Sequence, residues 1–194
     1  MVCLAKNIKI KIPRIIKWNA LPEPFIKLNT DGSSLGNPSL AGASGLLRNS
    51  LGDWISSFSL HMGITSNNIT ELGAVHGGLL LAWNLGFRFI HLGIDSMTVL
   101  FWLTNNNYIP PVINPILCDC RNLMEHNWTI QVYHIFREAN GYMDALARRG
   151  NQQQCLLETY GTCSTFVFTT FVWDMEHIGT TRMCNIKVVM PTIV

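Results

Sequence analysis

FIKLNTDGSSLGNPSLAGASGLLRNSLGDWISSFSLHMGITSNNITELGAVHGGLLLAWNLG, residues 25–86, contains the change of rhythm that decides the fold. Phe25 to Asp31 is a β-prone run closed by the turn cluster Gly32-Ser33-Ser34. Gly45 to Arg48 and Trp54 to Leu60 flank the short glycine-containing loop Asn49 to Asp53, the pattern of a hairpin. From Asn67 to Leu85 the apolar period lengthens. Leu72, Val75, Leu79 and Ala82 fall on one helical face, and Gly86 stands where a helix would end. Gly73, Gly77 and Gly78 inside that helix each cost up to about 1 kcal/mol relative to alanine, so packing has to hold it.

Downstream the alternation continues. Phe89 to Asp95 reads as a strand with Ile90, Leu92 and Ile94 on one face, and Ser96 caps a helix running through Thr104. Pro110-Pro111 breaks the chain before Ile116, Leu117, Cys120 and Leu123 mark the next helix. Thr129 to Phe136 is a fifth strand, and Met143 to Arg149 a last short helix with Gly150 just beyond it. Hairpin strands followed by helix-separated strands predict a mixed α/β sheet. Three stretches result: a basic lead-in (1–24), a domain (25–150) and an unassigned C-terminal tail (151–194). The lead-in, with five basic residues and one acid, reads as a solvated linker. The tail opens on Asn151-Gln152-Gln153-Gln154 and then turns apolar and β-prone at 166–168 and 171–173.

Of the 194 residues 48% are hydrophobic and only 13% charged, with a formal net charge of +2. That composition builds a core and argues against a disordered charged tail or strong global attraction to nucleic acid. No apolar run approaches the roughly 20 residues of a spanning helix, so no membrane partner is expected. Six cysteines without zinc-finger spacing read as buried reduced thiols. The expected compartment is cytoplasm or nucleus, and the basic start leaves an organelle address open.

With only 12 acids in the chain, their positions are informative. Asp31 and Asp95 end the first and fourth strands, where side chains line the ligand crevice of a layered α/β sheet. Glu71 and Asp144 lie near helix starts, where the helix dipole accounts for an acid as readily as chemistry does. Converging carboxylates repel one another unless hard cations neutralise them, and all-oxygen ligand sets suit Mg²⁺ or Mn²⁺.

KLNTDGSSLGNPSLAGASGLLRNSLGDW, SNNITELGAV, IDSMTVL and HIFREANGYMDALARRG, in that order and spacing, resemble the type-1 ribonuclease H domain. More closely, they are similar to the retroelement-derived modules of plant genomes that resemble the tail of reverse transcriptases. The resemblance covers about residues 18–150. It implies a five-stranded mixed sheet with helices on both faces and a catalytic, metal-binding carboxylate set on Asp31, Glu71, Asp95 and Asp144. It also implies two Mg²⁺ ions, with Mn²⁺ as a substitute, and endonucleolytic hydrolysis of the RNA strand of an RNA–DNA hybrid to 3′-hydroxyl and 5′-phosphate ends. Substrate contacts carry over to Gly32, Ser33, Ser34, Asn37, Asn67 and Asn68. Asparagine amides can both donate to and accept from minor-groove edges and 2′-hydroxyls.

Two features depart from the family pattern. The loop before the last helix, Arg137 to Gly141, is short and lacks the family's histidine; His134, the nearest, falls inside a strand and reads as packed rather than as a proton shuttle. Thr104 to Ile116, where many members carry a basic protrusion, has no lysine or arginine. Hybrid binding then depends on local cations such as Lys27, Arg88, Arg137, Arg148 and Arg149. A hybrid ribonuclease, a weakly active or inactive nucleic-acid-binding module of the same fold, and a retroelement relic all stay open on the sequence, with no protein partner indicated.

Overall fold

The computed structural model describes residues 4–19, 21–105, 109–175 and 179–192. Its elements follow in the order β1 (Leu4–Ile16), β2 (Ile26–Ser34), β3 (Ser39–Arg48), β4 (Trp54–Thr65), α1 (Asn67–Asn84), β5 (Phe89–Ile94), α2 (Met97–Thr104), α3 (Asn114–Met124), β6 (Thr129–His134), α4 (Gly141–Gln152), β7 (Leu157–Tyr160), α5 (Thr165–Met175) and β8 (Thr180–Thr192). A single 3-10 turn, Arg137–Ala139, joins β6 to α4.

The main sheet runs β6-β5-β2-β3-β4-β7. β2 pairs antiparallel with β3 and parallel with β5, and β6 is parallel to β5. The five strands expected from the sequence are therefore present, with β7 added antiparallel on β4 at the far edge. The parallel pairing ends with Thr30 of β2 opposite Ile94, the last residue of β5, which brings the next residues, Asp31 and Asp95, to one place.

Helices cover both faces. On one, Leu72, Val75, Leu79 and Ala82 of α1 are fully buried with Leu28, Ile90, Leu92 and Ile94 of the sheet and Leu117 and Cys120 of α3. That shared burial offsets the glycines within α1. α2 starts as expected: the Ser96 hydroxyl accepts the Val99 backbone N–H at 3.3 Å. On the other face Tyr142, Met143 and Leu146 of α4 pack on Leu46 and on Val167 and Phe171 of α5. No helix among the described residues is long and apolar enough to cross a membrane.

The ends of the chain correct the sequence reading. The lead-in holds a 13-residue strand, where the sequence reading expected a linker: β1 pairs antiparallel with β8 along its whole length as a separate two-stranded ribbon. The β-prone segment at 166–173 is helical, because Val167 and Phe171 stand one helical turn apart and both are buried under α4. α4 itself runs through Gly150 to Gln152. A Cβ on Gly150 would stand 2.5 Å from the Leu60 carbonyl oxygen and 3.0 Å from the Gly42 Cα, so the glycine serves close approach of helix and sheet, not a helix stop. Among the described cysteines only Cys120 is buried. Cys118 and Cys155 are exposed, Cys163 and Cys184 half-buried, all five free, and Cys3 lies outside the described residues.

Arg48, 1% exposed, ties these pieces together. Its guanidinium lies 4.9, 4.4 and 4.4 Å from the ring centroids of Trp18, Tyr142 and Phe171, one aromatic each from the lead-in, α4 and α5. Phe171 also meets Trp54 edge-on at 5.3 Å. Phe171→Ala is expected to cost about 3 kcal/mol, the scale of a buried aromatic truncation, as measured by urea unfolding of the full chain. A loss below about 1 kcal/mol would mean that α5 is not part of the core.

Candidate active site

Three of the four predicted acids converge. One carboxylate oxygen from each of Asp31, Glu71 and Asp95 lies within 4.8 Å of the others. Asp31 sits inside β2, which runs on to Ser34 because β3 keeps pairing with it as far as Ala41; the sequence reading ended that strand at Asp31. Asp95 follows the last residue of β5 directly. Glu71 lies beyond the first turn of α1 and is 7% exposed, so it is not a helix-capping acid.

Gly32 makes the meeting possible. A Cβ there would stand 2.6 Å from the Glu71 backbone nitrogen and 2.8 Å from the Thr70 carbonyl carbon, closer than packed atoms come. Gly32→Ala is therefore expected to push α1 off β2 at an overpacking cost of about 1–3 kcal/mol, together with a loss of cleavage larger than the stability loss explains. Paired melting and rate measurements check it; full activity with an unchanged melting midpoint would contradict it.

Burial is the largest cause of the site's electrostatics. It pushes the Asp31 carboxyl well above its ordinary range, and the charges of Asp95 and Asp144 push the same way. Glu71 is raised from 4.5 to about 9 by burial and then by the charges of Asp31 and Asp95, against an opposing hydrogen bond from the Gly32 backbone. Among the described residues, Glu71 Oε2 and Asp95 Oδ1 are buried with no hydrogen-bond partner. Orphaned oxygens on two acids of the one cluster suit a hard divalent cation, which takes oxygen ligands.

Asp144 is placed differently. It does sit in the first turn of α4, where its carboxylate pairs with Arg148 one turn on, at 3.0 Å. It stands outside the three-acid cluster but lines the same cleft of about 390 Å³ as Asp31 and Glu71. Gly32, Ser33, Ser34, Asn67 and Asn68 line that cleft too. Asn37 does not: its Oδ1 accepts the Asn67 backbone N–H at 3.1 Å, fixing the loop against the start of α1.

Of the five cations expected to bind nucleic acid, Arg137 and Arg148 reach the cleft. Arg137 Nε donates to Asp95 Oδ2 at 3.2 Å, and that carboxylate holds the guanidinium pKa above its ordinary value. The other three point elsewhere. Lys27 is buried, its ammonium 4.8 Å from the Trp18 ring centroid and donating to the Asn19 carbonyl at 2.8 Å. Arg88 stacks on Trp83, and Arg149 pairs with Glu158. His134 is packed as expected, its Nε2 3.2 Å from the Asp95 carbonyl and its ring edge-on to Phe136. Ser96, which also lines the cleft, went unseen because its helix-capping role accounts fully for a serine there.

Residues 29–150 match the reverse transcriptase-like family, which is more than half of the chain. The chain belongs to that family. Over 137 residues, 71% of its length, it is 34% identical to an Arabidopsis thaliana protein provisionally named a ribonuclease H, and it spans only 22% of that relative. The fold superposes on RNase H1 of the archaeon Halobacterium salinarum with a TM-score of 0.62 and 28% identity, covering 65% of this chain and 96% of that one. It also superposes on LC11-RNase H1, isolated from compost and solved in complex with an RNA/DNA hybrid, with a TM-score of 0.60, 22% identity and coverage of 64% and 94%. The ribonuclease H domain thus has a mixed α/β sheet with an acid cluster at its centre, and the chain's strand β1 and its segment from β7 to β8 lie outside the matched region.

Proposed function

We propose that this ribonuclease H domain is a metal-dependent endonuclease that hydrolyses the RNA strand of RNA–DNA hybrids. The observation that carries the reading is the buried Asp31-Glu71-Asp95 cluster, with two carboxylate oxygens lacking any partner among the described residues. With Asp144 at the rim, these residues would hold two Mg²⁺ ions, or Mn²⁺ in their place, which when bound supply the Lewis acidity for in-line attack of water at phosphorus. The chain's own residues do the rest. Asn67 and Asn68, at the start of α1, read 2′-hydroxyls and minor-groove edges with their amides. The Gly32-Ser33-Ser34 segment lets backbone and short hydroxyls approach the strand, and Arg137 and Arg148 offer guanidiniums to phosphate oxygens.

End-group analysis tests the chemistry. Water attack leaves 3′-hydroxyl and 5′-phosphate ends on the RNA; 2′,3′-cyclic phosphate ends would overturn it, since they require attack by the 2′-hydroxyl. A second reading, a binding module with negligible turnover, draws on Arg137 and Arg148, which already neutralise Asp95 and Asp144. Tight hybrid binding with no product in Mg²⁺ or Mn²⁺ would favour it.

A further inference from the structure

On the β6 side of Asp95, next to the acid cleft, lies a second hollow of about 320 Å³ lined by Asp95, His134, Phe136, Arg137 and Arg182. Arg182 comes from β8 of the terminal ribbon, well outside the family-matched residues 29–150. We propose that this hollow seats a backbone phosphate of the nucleic-acid strand that crosses the acid cluster, with Arg182 as its outer cation. The inference rests on the nucleic-acid reading above and extends it to a part of the chain that the family does not supply.

Chemistry, position and rigidity support it. Two guanidiniums and an imidazole line the hollow with Asp95, Glu138 pairs with Arg182 beside it, and the planar guanidinium fork matches phosphate oxygens. Arg137 lines both the acid cleft and this hollow. Phosphates held at the two places are then separated by little more than one side chain, the relation of neighbours along one strand. Arg182 is held ready: its Nη1 donates to both Glu138 carboxylate oxygens at 2.7 Å, and its guanidinium carbon stands 4.8 Å from the Phe136 ring centroid. A guanidinium has five N–H groups, and only Nη1 is engaged among the described residues. The ribbon thereby delivers a cation to a domain whose segment from Thr104 to Ile116 carries none.

The test is fluorescence anisotropy of a labelled RNA–DNA hybrid with the full chain in chelator, at several salt concentrations, with Mg²⁺ cleavage followed in parallel. Arg182→Ala should weaken binding about fivefold and make the log–log salt dependence shallower by about 0.9, one phosphate contact. Arg182→Gln, which keeps a polar side chain without the charge, should do the same. Arg182→Lys should keep the wild-type slope. Glu138→Gln, which leaves the cation and removes the opposing charge, should bind at least as tightly as wild type. Unchanged affinity and slope in both Arg182→Ala and Arg182→Gln, with a wild type that binds and cuts, would overturn the phosphate seat and leave the nuclease reading standing. Weakening in Glu138→Gln equal to that in Arg182→Ala would also overturn it, since Arg182 would then act only by anchoring the ribbon. A wild-type chain that neither binds nor cuts the hybrid would remove both readings together.

Discussion

Asp31→Asn is expected to abolish hybrid cleavage, lowering the single-turnover rate by about a thousandfold or more, the scale of losing a preorganised electrostatic contact at a reacting centre. The domain should stay folded. Asparagine has nearly the shape of aspartate, and the change removes a buried charge that faces Glu71 and Asp95. The melting midpoint of the metal-free variant at pH 8 should therefore equal or exceed that of wild type. Asp95→Asn should lose activity to a similar degree. Asp144→Asn, whose carboxylate stands outside the cluster and is partly neutralised by Arg148, should lose less. Wild-type rates in Asp31→Asn and Asp95→Asn would contradict the assignment.

Stability of the metal-free domain should fall as pH rises from 5 to 9. A carboxyl whose folded pKa lies above its unfolded value binds an extra proton in the folded state between the two. Its contribution to stability is complete below the unfolded pKa and is lost as pH climbs through the folded one. For Glu71 that window runs from about 4.5 to about 9, and Asp31 is shifted in the same direction. Mg²⁺ should reverse the trend. It binds the ionised cluster and competes with protons for it, so its stabilising effect should be much larger at pH 8 than at pH 5. Glu71→Gln should flatten both dependences. Thermal or urea unfolding at four pH values, with chelator and with Mg²⁺, checks this. Metal-free stability that climbs steadily to pH 9, or is indifferent to Mg²⁺, would mean that the carboxylates do not share one buried space.

The central fold was legible because its signals are local. The period change at Asn67, Ser96 as a helix cap and the Asn49–Asp53 hairpin loop each act within a few residues, and each appears where expected. The ends were misread because their structure depends on distant partners. Leu4–Ile16 is a strand only because Thr180–Thr192 pairs with it. The β-prone composition of 166–173 yields to the burial of Val167 and Phe171 under α4.

The site shows the same division. Residue types and block spacing pointed to four acids, and the i,i+4 spacing of Asp144 and Arg148 on α4 was legible as an ion pair, but nothing in the sequence showed that Asp144 would stand outside the cluster, or that Asn37 would brace Asn67 instead of lining the cleft. Gly32 read as a turn residue; its tight approach to Glu71 shows only once α1 lies across β2. Arg182 carried no local signal at all. Its place beside Asp95 depends on the ribbon that closes the two ends of the chain on each other.

The most direct test of the central claim uses the full chain and an RNA–DNA hybrid labelled on either strand, in Mg²⁺, in Mn²⁺ and in chelator. Cutting of the RNA strand alone, present with either ion and absent with chelator, is the result predicted from the buried acid cluster. A folded protein that leaves the RNA intact in both metals, or that cuts it equally well in chelator, would contradict it.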